Sequence, residues 1–110
     1  MRKMKKRSEI WKDVMEAVTS LTEVTQAEIF SPSKKADITQ ARGLLFWTLT
    51  KKGLRPATIM RLCKTNGWET IVHSTITKHI KRSTVKVKKD DEFKLFLREI
   101  ESCLASVAKG

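Results

Sequence analysis

Between Ala41 and Leu49 the chain reads Ala-Arg-Gly-Leu-Leu-Phe-Trp-Thr-Leu. Wound as a helix, this segment is apolar on nearly every side, with Arg42 as its one charge. Such a helix cannot lie on a surface, so it predicts the buried centre around which everything else packs. Asp37 stands where an N-terminal cap is wanted, and the helix should run to about Lys51 and stop before Gly53. A chain of 110 residues has room for one domain with a single core. Four Gly and two Pro are too few for a loop-rich or all-β fold.

The other segments supply helical partners for that centre. Residues 1–7, with Arg2, Lys3, Lys5, Lys6 and Arg7, read as a basic tail ahead of a single helical domain over 8–108. Ser8 is placed to cap a first helix with Glu9 in its first turn, and Ile10, Trp11, Val14, Val18 and Leu21 form its apolar face. Thr25-Gln26-Ala27-Glu28 has capping-box spacing, so Ile29-Phe30 should lie in a short helical turn. Ser31 to Ala36 is a loop by its Ser and Pro content, and it carries Lys34 and Lys35. Pro56 suits the first position of the next helix, with Ile59, Met60, Leu62 and Cys63 facing inward and Asn66-Gly67 as the stop.

After a turn through Trp68 and Glu69, a further helix should begin near Ile71 or Val72. Val72, Ile76 and Ile80 fall at i, i+4 and i+8 as one apolar stripe, leaving His73, Ser74, Thr77, Lys78 and Lys81 on the opposite side. Val85-Lys86-Val87-Lys88-Lys89 alternates like a strand but has no partner strand, so it reads as a basic linker. Asp90 then caps a last helix whose Phe93, Leu97, Ile100, Leu104 and Val107 form a stripe. That stripe docks either on the core or on a second subunit, as a homodimer contact. The expected fold is all-α: a compact four- to five-helix domain containing a helix-turn-helix.

The net charge of +11 and the pI near 10 call for an acidic partner. Nucleic acid is the commonest, and a membrane surface or ribosomal RNA suits the charge as well. The basic start is not followed by the apolar run of a signal peptide, and nothing approaches the roughly 18 apolar residues of a membrane span. Cys63 and Cys103 lack metal-ligand spacing and read as small buried hydrophobes. A cytoplasmic, nucleoid-associated protein with reduced thiols and no membrane contact is expected. Chemistry is sparse. His73 and His79 do not share a helix face as a zinc pair would, and Asp90-Asp91-Glu92 reads as a helix-capping cluster. There is no phosphate-binding loop and no nucleophile elbow. No enzyme, cofactor, metal or small-molecule substrate is expected.

The layout of His73, Ser74 and Thr75 ahead of Lys78 and Lys81 suits a helix entering the DNA major groove. Hydroxyls and imidazole can bond base edges from the first turn, while the cations meet phosphates. Four pieces then occur in a fixed order: Glu28-Ile29-Phe30, Ser33-Lys34-Lys35, Gln40-Ala41-Arg42-Gly43 and Val72-His73-Ser74-Thr75-Ile76. On these residues, the chain from about Ile10 to Leu104 resembles the C-terminal DNA-binding domain (domain IV) of the bacterial chromosomal replication initiator DnaA. That family's helical fold is similar to Trp repressor. In it a hydrophobic helix and short turn lead into a basic loop, then a helix with an Ala/Pro-Arg-Gln pattern. A helix-turn-helix follows, its second helix opening Asp-His-[Ser/Thr]-Thr-Val.

The resemblance implies that Lys34, with Lys35 beside it, reaches into the minor groove. It implies that His73, Ser74 and Thr75 read base edges in the major groove and that Arg42 holds phosphate or base. The sequence departs from the family where Val72 stands for Asp, Lys34 for Arg and Gly43 for a polar residue. The connection between Ile59 and His73 is several residues longer, and the family's nucleotide-binding module is absent from these residues. The expectation is a stand-alone domain that binds double-stranded DNA sequence-specifically, regulating replication or transcription without an ATPase module. The competing expectation is a helical module that binds a protein partner or structured RNA through a general basic surface. A one-faced cluster of Lys34, Arg42, Lys78 and Lys81 around His73 favours DNA, and scattered charge favours the competitor.

Overall fold

A computed structural model describes residues 6–109. Among them are six helices: α1 (Arg7–Thr22), α2 (Gln26–Phe30), α3 (Ala36–Lys51), α4 (Pro56–Thr65), α5 (His73–Lys89) and α6 (Asp91–Lys109). The fold is all-α, with one helix more than expected because the short turn after Thr25 closes into α2. The apolar segment sits at the centre as predicted. Ala41, Leu44, Leu45, Phe46 and Leu49 of α3 are fully buried, and α3 packs against each of the other helices.

The helix ends show how local chemistry sets the boundaries. Thr25 makes the expected capping box, accepting from the Glu28 N–H at 3.1 Å while the Glu28 carboxylate accepts from the Thr25 N–H at 3.0 Å. Two expected caps are displaced. α1 starts at Arg7 with Lys6 at its N-cap, so Ser8 lies inside the first turn, and Arg7 belongs to the domain rather than to a tail. Arg2, Lys3 and Lys5 of that tail lie outside the described residues. α3 has Lys35 at its N-cap, and Asp37, one residue in, accepts from the Ile38 N–H at 2.9 Å. The extended backbone of Lys6 and Lys35 fixes these starts without a side-chain cap, and acidic Glu9 and Asp37 in the first turns complement the helix dipoles instead.

Both glycine stops are Schellman motifs. Gly53 (φ 95) donates to the Thr50 carbonyl while Leu54 reaches back to Leu49. Gly67 (φ 111) donates to Lys64 while Trp68 reaches back to Cys63 at 2.9 Å. Of α4's expected inward residues, Ile59 and Cys63 are fully buried, while Met60 and Leu62 are half-buried against the core. Burial pushes the Cys63 thiol up to about 11, the neighbouring Trp11 indole offsetting part of the effect. Neither cysteine is in a disulfide.

The basic linker expected over 85–89 is the last part of α5. Ile76, Ile80, Ser83 and Val87 recur at helical spacing on the buried side, and this outweighs the short Val85/Val87 alternation, leaving Val85 exposed. Val72 is likewise not in the buried stripe. It is the N-cap of α5 and stands 52% exposed. Asp90 caps α6 as expected, accepting from the Phe93 N–H at 3.1 Å. Phe93, Ile100 and Leu104 are buried, so the stripe docks on the core, against α1, α3 and α5. The Val107 side chain lies outside the described residues. Among the described residues, no helix is long and apolar enough to cross a membrane.

One contact fixes how closely α5 approaches α3. The buried Ser83 hydroxyl donates to the Gly43 carbonyl at 3.2 Å, and a Cβ on Gly43 would lie 2.9 Å from that hydroxyl oxygen and 3.7 Å from the Phe93 ring. Valine in place of Gly43 should therefore overpack the α3/α5 contact and lower stability by about 1–3 kcal/mol, read from urea unfolding midpoints.

Candidate nucleic-acid interface

The loop between α2 and α3 is short and polar, yet it is held at several points. The Ser31 hydroxyl donates to the Glu28 carbonyl at 2.6 Å, and the Ser31 and Ser33 hydroxyls accept from the N–H groups of Ser33 and Lys35. Arg42 does the rest from inside. Its Nε donates to the Ile29 carbonyl at 2.8 Å, Nη1 to Ser33 at 2.6 Å and Nη2 to Ser31. A planar fork with five donors spread over three nitrogens can hold three divergent carbonyls at once. Its face lies over the Trp68 ring at 5.9 Å, and burial holds its ionisation below the ordinary arginine range. Arg42 therefore does not stand free to meet phosphate or base, the role that the resemblance implies for it. At 7% exposure, with three donors engaged, it is a clamp on the loop.

Trp68 belongs to a ladder of rings beneath the same region. Phe30 stacks on Trp68 at 4.9 Å, Phe46 lies 6.0 Å from Trp68 on its other contact, and the His79 imidazole is tilted against Phe46 at 5.8 Å. Above the ladder opens a concavity of about 730 Å³. The loop supplies Ser33 and Lys34, α5 supplies Thr75, Lys78, His79 and Arg82, and the α4–α5 connection supplies Thr70 and Ile71. Among the described residues, no carboxylate lines it. Lys34, Lys78 and Arg82 are exposed and, among the described residues, none is in an ion pair.

The sequence-predicted residues thus fall into two groups. Lys34, Arg42, Thr75 and Lys78 are brought together around the concavity, whereas Lys35, His73, Ser74 and Lys81 are exposed outside its lining. His73 and Ser74 immediately precede Thr75 at the open start of α5, and the side chains of all three carry no hydrogen bond among the described residues. Thr77 differs, since its hydroxyl is turned back onto the Ser74 carbonyl at 3.1 Å. Arg82 and Trp68 are among the lining residues absent from the sequence-predicted set. Arg82 lies at i+4 from Lys78 and i+7 from Thr75, a spacing that was legible. Trp68 is the residue after a C′ glycine, where an apolar contact back onto the helix is usual.

His79 reports the field in this region. Its pKa is lowered to about 4, first by burial and then by the positive charge of Arg42, Arg82, Lys78 and Lys86. The imidazole is therefore neutral at physiological pH, a structural histidine under a cationic surface. Among the described residues, no group of three or more His, Cys, Asp or Glu side chains could hold a metal ion. No protein-family model, no curated protein and no solved structure matches the chain.

Replacing Arg42 by Ala should strip three carbonyls of their partner, lowering stability by about 2–3 kcal/mol and speeding amide exchange at Ser33 and Lys35. Lysine should recover little of this, because it offers no fork. His79 predicts a distinct pH dependence. Its folded pKa of about 4 lies below the ordinary 6.5, so the unfolded chain takes up a proton that the native state refuses. Stability should be full above about pH 6.5 and fall by on the order of 3 kcal/mol as the pH drops toward 4. His79→Leu should remove that part of the decline in chemical denaturation across the range.

Proposed function

We propose that this chain binds double-stranded DNA, placing the N-terminal turn of α5 in the major groove and the Lys34 loop on the neighbouring backbone and minor groove. In this reading α4, its connection and α5 act as a helix-turn-helix of the Trp repressor and DnaA domain IV kind. The domain serves as a site-specific regulator of replication or transcription. One observation carries the reading. Among the described residues, a concavity lined by no carboxylate and edged by three cations outside any ion pair lies beside a helix start whose imidazole and hydroxyls make no hydrogen bond.

The two halves of that observation have different jobs. Lys34, Lys78 and Arg82 neutralise phosphates and fix register without reading sequence. His73, Ser74 and Thr75 offer donors and acceptors suited to base edges. An α-helix with its side chains is about 10–12 Å across and fits the roughly 12 Å major groove of B-form DNA. The deep, narrow major groove of A-form RNA does not admit one, which favours DNA over a folded RNA partner.

Selection from a random duplex pool, followed by binding titrations at several salt concentrations, tests the reading. The His73→Ala/Thr75→Ala double variant should lose its preference for the selected site yet keep weak, salt-sensitive binding. Lys34→Ala and Arg82→Ala should each weaken binding to all sequences alike and reduce the salt slope by about one. Full site preference in the double variant would overturn the assignment.

A further inference from the structure

The exposed tip of α5 carries an apolar group that the fold does not use. Val72 occupies the N-cap with extended backbone and gives no side-chain cap, a position where valine is among the poorest residues. The residue is 52% exposed, while Trp68 and Ile71 just before it are buried. Val72 thus forfeits a cap and leaves apolar surface in water without an intramolecular return. The other large exposed hydrophobics among the described residues, Val85 and Leu95, lie in the last part of α5 and on α6. Val72 instead shares a turn with the candidate reading residues. Its carbonyl accepts from the Thr75 N–H at 3.1 Å, with His73 and Ser74 between them.

We infer that Val72 is a specificity-determining contact that packs on the C5-methyl group of a pyrimidine, whether thymine or 5-methylcytosine. The inference rests on the DNA reading above. The C5-methyl is the one apolar feature that a base pair shows in the major groove. An isopropyl group offers neither donor nor acceptor, so against an exocyclic amino group it displaces water and returns nothing. A β-branched side chain is also stiff at χ1, so seating it on a methyl costs little conformational freedom. The geometry at the tip therefore favours a methylated pyrimidine edge over unmethylated cytosine or adenine.

The test uses the whole chain and its Val72→Ala variant on the duplex selected from a random pool. Each thymine is replaced in turn by uracil, which differs only in lacking the methyl group. For the unmodified chain, one position should weaken binding about fourfold, the value of one buried methyl, while Val72→Ala is indifferent there. Cytosine placed at that position should bind more weakly, and its 5-methylation should recover about fourfold for the unmodified chain alone. Identical uracil profiles for the two proteins would overturn the inference while leaving the DNA reading intact. Failure of the pool to yield any preferred duplex would overturn both.

Discussion

A buried guanidinium holds the candidate site in shape. Arg42 lies over Trp68 and grips the carbonyls of Ile29, Ser31 and Ser33, so the loop bearing Lys34 is referenced to α3. The next residue, Gly43, seats α5 by letting Ser83 approach the α3 backbone. Two consecutive residues of the central helix therefore fix the two walls of the concavity. The charge given up in the process is large for a basic face, since Arg42 is withdrawn from the surface. What the domain gains is a definite separation between a cationic loop and a cationic helix.

That separation keeps like charges close without neutralising partners. Lys34, Lys78 and Arg82 face the concavity, and among the described residues no carboxylate lines it. A charged histidine beneath them would add to their mutual repulsion, and His79 avoids this by staying neutral against Phe46. Three carboxylates are engaged elsewhere: Glu28 in a capping box, Asp90 at the start of α6, and Glu101 with Lys52. An excess of positive charge is left on the face where Lys34, Lys78 and Arg82 meet.

Much of this was readable from residues. The buried helix, the capping box, both glycine stops and the docking stripe of α6 follow from periodicity and cap chemistry, which act within a few residues. What was missed depends on contacts between distant segments. Nothing local marks Arg42 as a clamp, because its partners are carbonyls at positions 29, 31 and 33, and carbonyls leave no trace in sequence. Over 85–89 two valines alternating with lysines mimic a strand, and only the packing of Ser83 and Val87 shows the helix continuing. Val72 has the spacing of the apolar stripe, but a helix that begins one residue later cannot carry it there.

The unbroken course of α5 has a consequence for how such a domain could search DNA. Every charged residue of this helix, from Lys78 to Lys89, is basic and lies C-terminal to the short polar residues 73–75. Shaft and tip are thus separate zones of one stiff rod. On the proposed reading, the shaft can stay in contact with phosphates of any sequence while the tip is lifted, then tilt in when the bases suit. Grip and inspection would then be successive motions of a single body, with no flexible joint needed between them.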